Sequence, residues 1–93
     1  MRRAGRTDSN QKEIVDALRK ARASVFVTSS LGGGFPDLVI GFRGKNYLME
    51  VKSCQRNEVI LTNDELAFLQ SWAGQAVVVV DAQEALKAIG AIK

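Results

Sequence analysis

Residues 34–42, GFPDLVIGF, and residues 47–52, YLMEVK, are two β-type runs separated by the short polar segment Arg43-Gly44-Lys45-Asn46. Both runs are rich in β-branched and aromatic residues, which are typical of strands. Gly and Asn in the segment between them tolerate the positive φ that a tight hairpin turn requires. The sequence therefore predicts a β-hairpin, and the other elements are interpreted as its support.

This hairpin would place three charged side chains close together. Side chains alternate between the two faces of a strand, so Glu50 and Lys52 point to one face while Met49 and Val51 point to the other. Asp37 follows the one proline of the chain, near the start of the partner strand. Two acids and a lysine within reach of one another can hold a divalent metal beside an activated water. The alternative is a solvated hairpin whose charges merely pair, worth at most about 1 kcal/mol at a surface.

The composition limits the chemistry open to this chain. Its 93 residues suffice for one domain, and 46% hydrophobic with 25% charged residues is ordinary for a globular protein. The absence of histidine and the single Cys54 exclude an internal disulfide, histidine-based zinc sites and Ser–His or Cys–His nucleophiles. Any metal must therefore be held by oxygen. No apolar run has membrane-spanning length and no signal-peptide core follows the N-terminus, so we expect a cytoplasmic protein without membrane contact.

Positive charge is concentrated in the part of the chain that carries the hairpin. Residues 1–57 hold eleven Lys/Arg against five Asp/Glu, and residues 58–93 hold two against five. This balance suits a polyanionic partner without requiring one. Residues 1–7 are interpreted as a mobile basic arm before a single domain at 8–93. Either a phosphate contact or a solvated terminus explains its three arginines, Arg2, Arg3 and Arg6.

The first predicted helix begins at an N-cap, Asp8 or Ser9, and continues to about Arg22. Its apolar residues recur at helical spacing and predict a buried stripe, Ile14, Val15 and Leu18 with Ala17 and Ala21. Glu13 stands beside this stripe, where it either reaches inward toward the hairpin or complements the helix dipole as a first-turn acid. Residues 24–28 then form a strand. The glycine-rich loop after it matches neither the Walker nor the dinucleotide-binding motif, so no nucleotide cofactor is expected.

The second half of the chain predicts a helix, a strand and a last helix. A capping box at Thr62 opens a helix that ends at Gly74, with a predicted buried stripe of Leu66, Leu69 and Trp72. Residues 76–80, AVVVV, are typical of a strand covered on both faces. Asp81 caps a last helix that ends at Gly90. The predicted order α-β-β-β-α-β-α describes an α/β domain with a central mixed sheet flanked by helices.

Together these motifs resemble the PD-(D/E)XK nuclease superfamily. Pro36-Asp37 is followed, after twelve residues, by Glu50-Val51-Lys52 on the predicted hairpin. Within the superfamily the chain is most similar to the VRR-NUC domain in its small stand-alone form, with Holliday junction resolvases as near neighbours. The likeness covers nearly the whole chain, including a Glu in the first helix, Glu13, and the segment 76–86. It implies a restriction-endonuclease-like core.

The resemblance implies a role for each residue of the motif. Asp37 and Glu50 would be carboxylate ligands of a catalytic Mg²⁺ or Mn²⁺, with the main-chain carbonyl of Val51 as a further ligand. Glu13 would assist through the metal or its waters. Lys52 would position the attacking water and offset charge on the scissile phosphate. Oxygen ligands suit a hard cation, and phosphodiester hydrolysis is helped mostly by positioning and charge stabilisation.

The resemblance further implies a DNA endonuclease that cuts four-way junctions or other branched DNA as a homodimer. Two alternatives stay open: a nuclease for flaps, nicks or ordinary duplex, and a DNA-structure-binding module that does not cut. The family often has Gln where this chain has Glu65, and capping alone explains that residue. Phosphate contact and loop solvation are both open interpretations for four more residues, Arg43, Lys45, Gln55 and Arg56.

Overall fold

The computed structural model describes residues 10–53 and 59–93 of the chain. Three helices and four strands occur in the predicted order α-β-β-β-α-β-α, which confirms an α/β fold with a mixed sheet flanked by helices. Along the chain they are α1 (Gln11–Lys20), β1 (Ser24–Val27), β2 (Leu38–Phe42), β3 (Lys45–Val51), α2 (Asn63–Ser71), β4 (Ala76–Val79) and α3 (Ala82–Ala88). Within the described ranges, no helix has the length and apolar content that crossing a membrane requires.

The sheet has the strand order β1-β2-β3-β4, antiparallel between its first three strands and parallel between β3 and β4. Alternate residues of β2 and β3 point into one core with α1 and α3, because side chains on a strand alternate between its faces. The fully buried large side chains of this core include Ile14, Leu18, Leu38, Ile40, Met49, Val51 and Val79. Leu48 and Glu50 consequently point to the opposite face of the sheet.

The predicted hairpin is confirmed, with a shorter turn than the sequence indicated. Phe42 pairs with Lys45, so the turn consists of Arg43 and Gly44 alone, with φ of 51° and 82°. Asn46, which was predicted to supply a positive φ, instead lies within β3. The physical reason is the strand twist, which a two-residue turn with two positive φ values matches best.

The first helix begins and ends inside the predicted bounds. Its N-cap is Asn10, whose side chain makes no capping hydrogen bond, and the helix ends at Lys20 rather than near Arg22. Arg22 itself has a φ of 75°, which no longer continues a helix. The proposed caps Asp8 and Ser9, like the basic arm at 1–7, lie outside the described residues.

The capping box at the start of α2 is confirmed, but the predicted buried stripe is wrong. No residue of α2 is buried, and Trp72 just beyond it is 44% exposed. The aromatic side chains pack on one another: Phe68 lies edge-on to Phe35 and stacks on Trp72, with ring centroids 5.3 and 5.1 Å apart. The C-cap is also corrected, because the helix ends at Ser71, before Gly74.

The last strand is shorter and less buried than predicted. β4 ends at Val79, and Val79 is its one buried residue. The strand lies at the edge of the sheet, where it pairs with β3 alone among the described strands, so its side chains are only partly covered. The cap of α3 is confirmed, since Asp81 Oδ1 accepts a hydrogen bond of 2.8 Å from Glu84 N. Gly90, with a φ of 81°, follows the helix end as predicted.

Candidate active site

The hairpin brings the two predicted carboxylates together. Leu38 pairs with Met49, so one step along the same antiparallel register places Asp37 opposite Glu50. Asp37 Oδ2 accepts a hydrogen bond of 2.8 Å from the main-chain N–H of Val51. This bond fixes the Asp37 side chain across the end of β3, beside the residue that carries the second acid.

The Pro36-Asp37 backbone is held by a residue that sequence reasoning missed. Thr28, which is buried, donates from its main-chain N–H to the Asp37 carbonyl and from its hydroxyl to the Pro36 carbonyl, both at 2.7 Å. Pro36 is itself fully buried. Because hydrogen bonds fix both carbonyls, Asp37 has little backbone freedom. Only the position of Thr28 at the end of the β1 run hinted at such a role.

Glu50 is a buried acid in a negatively charged environment. It is 5% exposed. Burial in the first place, and then the negative charges of Asp37 and Glu65, raise the pKa of Glu50 to about 9. A hydrogen bond with the Glu65 carboxyl acts in the same direction, while the positive charge of Lys52 acts against it. This raised pKa favours the protonated form of Glu50 at neutral pH when no cation is bound.

Lys52 lies beside both glutamates and is bound most closely by Glu65. Its Nζ is 2.8 Å from Glu65 Oε1 and 3.8 Å from Glu50 Oε2. The side chains of Lys52 and Glu65 are each 18% exposed. Partial burial acts to raise the pKa of Glu65, but hydrogen bonds from Lys52 and from the Thr62 N–H hold that pKa below its ordinary value. Glu65 is consequently the anionic partner that orients the lysine.

Glu65 has two roles where the sequence suggested one. Its Oε1 accepts a hydrogen bond of 2.9 Å from the main-chain N–H of Thr62. Its own main-chain N–H donates a hydrogen bond of 3.1 Å to Thr62 Oγ1, which completes the capping box. The same Oε1 binds Lys52. The helix cap thus carries a carboxylate into the site, from a residue 13 positions beyond Lys52 in sequence. The sequence predicted only the cap for Glu65, because the contact with Lys52 joins two elements that local patterns do not relate.

Gly34 allows α2 to approach closely enough for this contact. It has a φ of 83°, and a Cβ at this position would overlap the main-chain carbonyl of Asp64. A residue with a side chain would have to displace the first turn of α2. The last glycine of the glycine-rich loop is therefore explained by the close approach of another backbone.

Asn10 is a second residue that sequence reasoning missed. Its Nδ2 donates to the carbonyls of Lys52 and Val80, at 3.1 and 2.6 Å. Its Oδ1 is buried and has no hydrogen-bond partner within the described part of the chain. Asn10 ties the start of α1 to the ends of β3 and β4, which fixes the backbone of Lys52.

The remaining predicted site residues are not brought to this cluster. Glu13 is exposed in the first turn of α1. Arg43 and Lys45 are exposed at the opposite end of the hairpin, at its turn. Five predicted DNA contacts lie outside the described residues, namely Arg2, Arg3, Arg6, Gln55 and Arg56.

The donor set fits a hard divalent cation, although the cluster is small. Across residues 10–53 and 59–93, no group of three or more His, Cys, Asp or Glu is arranged to hold a metal ion. Asp37 and Glu50 nevertheless offer two carboxylates at the end of one strand pair, and Val51 offers a main-chain carbonyl beside them. A cation would relieve the cost of ionising buried Glu50, because an unpaired charge is poorly tolerated inside a protein.

The comparisons with known proteins add no assignment. The chain matches no protein-family model, no curated protein and no solved structure.

Proposed function

We propose that this protein is a metal-dependent DNA endonuclease of the VRR-NUC type, which hydrolyses phosphodiester bonds in four-way junctions or other branched DNA. The observation that carries the proposal is the placement of buried Glu50 opposite Asp37, with Lys52 beside it. An acid that is protonated when alone and ionised beside a cation is suited to a metal-loaded site. The basic excess of residues 1–57 suits a polyanionic substrate.

In this proposal Asp37, Glu50 and the Val51 carbonyl hold Mg²⁺ or Mn²⁺. The bound cation would lower the pKa of a water and offset negative charge on the scissile phosphate. Lys52 donates from Nζ to the attacking water or to a phosphate oxygen. Glu65 keeps Nζ oriented, and the hydrogen bonds of Asn10 and Thr28 hold the backbone on either side of the site.

Proton movement at Glu50 links metal binding to pH. Glu50 must lose its proton before its carboxylate can act as a ligand, and its raised pKa makes this loss unfavourable at neutral pH. Cleavage should therefore become faster as pH rises toward about 9. The cleavage rate should depend on pH most steeply at low metal concentration, where metal binding limits the rate.

The substrate and assembly complete the proposal. A domain of 93 residues offers a narrow footprint, so we propose a homodimer that presents two sites to a branched junction. The arginines of the basic arm would contact phosphates, as would Gln55 and Arg56, which follow Lys52 by three and four residues in sequence. Glu13 would act at most through waters of the metal, because its side chain is exposed.

A cleavage panel tests the proposal. Labelled four-way junction, flap and linear duplex are incubated with wild type and Asp37→Asn, in Mg²⁺, in Mn²⁺ and in chelator. We expect metal-dependent cuts in the junction that Asp37→Asn abolishes while retaining DNA binding. Equal cutting of linear duplex would keep the nuclease and remove the junction preference. Binding of the junction by wild type without any cut in either metal would contradict the nuclease and favour a DNA-structure-binding module.

A further inference from the structure

A pocket of about 350 Å³ lies at the turn of the β2–β3 hairpin, facing the C-terminal end of α3. Three of its nine lining residues are cationic, Arg43, Lys45 and Lys87, and none is acidic. Since a water occupies about 30 Å³ of liquid volume, the pocket has room for a small polyatomic ion and several waters. The lining therefore favours an anion as its occupant.

Among the described residues, the three cations of this pocket form no ion pair with an acid. The close contacts between opposite charges in that part of the chain join Lys12 to Asp16 and Lys52 to Glu65, and Glu50 Oε2 lies 3.8 Å from Lys52 Nζ. An oxyanion in the pocket would meet complementary charge on its lining. Lys87 also lies in the last turn of α3, where it complements the helix dipole, but this role does not explain the two hairpin cations.

The backbone at the pocket is held in an unusual conformation. Arg43 has a φ of 51° in a turn position that Gly, Asn or Asp normally occupies. Its guanidinium lies 4.7 Å from the centroid of the Phe42 ring, which holds the side chain at the pocket. A strained non-glycine residue is a reason to look for function, because the strain persists only when something compensates it.

Two hydrogen bonds between elements fix the walls of the pocket. Tyr47 donates from its hydroxyl to the Ile89 carbonyl at 3.4 Å, and Gln75 Nε2 donates to the Asn46 carbonyl at 2.6 Å. The first bond ties the hairpin to the end of α3 and the second ties it to the segment before β4. The three cationic residues therefore lie on backbone segments that hydrogen bonds join to one another.

We propose that this pocket binds a phosphate group, and that in the nuclease it holds a backbone phosphate of DNA away from the scissile bond. The second half rests on the proposed function, whereas the first half does not. Arg and Lys are the usual protein ligands of phosphate, Arg as a fork and Lys as a point charge. The pocket brings one Arg and two Lys to a single concave surface.

The pocket and the candidate active site lie at opposite ends of β3 and on opposite faces of the sheet. Lys45 and Glu50 are five residues apart, which at about 3.4 Å per residue is about 17 Å. Tyr47 packs against the core that contains α1 and α3, whereas Glu50 points to the other face. One phosphate cannot occupy both sites. Branched DNA, whose arms diverge from the cut, reaches both more readily than a straight duplex does.

The first experiment tests phosphate binding with inorganic phosphate. Amide shifts of ¹⁵N-labelled protein are followed in phosphate and in sodium chloride at equal ionic strength. We expect saturable shifts at Gly44, Lys45 and Gly90 that the triple variant Arg43→Gln, Lys45→Gln, Lys87→Gln does not show. A matched control removes the same charges at positions elsewhere on the chain, Lys20→Gln, Arg22→Gln, Lys93→Gln, and should keep the shifts. No saturable shift at the pocket, or the same shifts in the triple variant, would overturn the proposal.

The second experiment tests whether the bound phosphate belongs to DNA. Binding of the protein to labelled junction and duplex is measured by fluorescence anisotropy in chelator, where no cleavage occurs. We expect the triple variant to bind the junction about tenfold more weakly than the control does. The slope of log Kd against log salt should fall by about 1 for each DNA phosphate that the variant no longer binds. If wild type binds phosphate but the triple variant binds the junction as tightly as the control does, the proposal that the pocket holds a DNA phosphate is overturned. The pocket would then be a site for free phosphate. Phosphate binding by a wild type that binds no DNA would contradict the proposed nuclease instead.

Discussion

Glu50 should make the stability of this protein fall as pH rises, unless a divalent metal is present. Its pKa is ordinarily about 4.5 and is raised to about 9 in the folded chain by burial and by neighbouring carboxylates. The folded state then binds one more proton than the unfolded state between these two values. The stabilisation is complete below pH 4.5 and is lost as pH rises toward 9.

The size of the effect follows from the pH interval. One pKa unit corresponds to about 1.4 kcal/mol, so raising the pH from about 5 to about 8 removes at most about 4 kcal/mol. Relaxation around an acid at the end of a strand reduces this value, and we expect about 2 kcal/mol. For a domain of this size that is a fall in Tm of about 10 °C. The lowered pKa of Glu65 acts in a different window, since its stabilisation is lost as the pH falls below its ordinary value near 4.5.

Thermal unfolding followed by circular dichroism measures this effect from about pH 5 to about pH 9 in chelator. Glu50→Gln should match wild type near pH 5 and exceed it at about pH 8, because a neutral amide has no proton to lose. Glu13→Gln, at an exposed glutamate, is the matched control and should follow wild type. Mn²⁺ should raise the Tm of wild type at the higher pH and leave Glu50→Gln unchanged. A pH dependence of the same slope in wild type and Glu50→Gln would refute the reasoning.

Three further predictions concern the parts that hold the site. Gly34→Ala should lower the free energy of unfolding in urea by about 2–3 kcal/mol, since a Cβ would meet the Asp64 carbonyl. Gly33→Ala, with open space around it, should lower it by about 1 kcal/mol. Equal losses would contradict the close approach. Thr28→Val should cost about 1–2 kcal/mol by removing the hydroxyl bond to the Pro36 carbonyl, and a neutral result would show that this bond does not fix the loop. A double-mutant cycle of Lys52→Met and Glu65→Gln should give a coupling free energy of about 1 kcal/mol, and additive effects would mean that the pair is not formed in solution.

Local signals in the sequence were sufficient for the hairpin and for the N-caps of α2 and α3. Three short patterns carried these predictions: a turn with a glycine between two β-type runs, Thr62 with Glu65 three residues later, and Asp81 before the last helix. Each pattern spans about four or five residues. Their energetics do not depend on distant parts of the chain. The spacing between Asp37 and Glu50 predicted that the two acids lie within reach of each other. The two-residue turn sets the register that places them opposite one another.

Contacts between distant segments could not be predicted in the same way. Nothing in the local pattern singled out Asn10, whose partners are 42 and 70 residues away. The stripe of α2 had the period of a buried helix, but periodicity does not say which surface receives it, and Phe68 packs on Phe35 and Trp72 instead. Glu13 stood beside the apolar stripe, and the rotation of α1 that buries Gln11 leaves it in solvent.

The measurement that tests the central proposal most directly is a time course of four-way junction cleavage in Mg²⁺ by wild type and by Lys52→Ala. Both proteins are first matched for folded fraction and for junction affinity in chelator. We predict metal-dependent cutting by wild type and a loss of at least about a hundredfold in the single-turnover rate of the variant, since Lys52 is the charged donor beside the two acids. Equal rates for the two proteins, or cutting by wild type that persists in chelator, would contradict a metal site built on Asp37, Glu50 and Lys52.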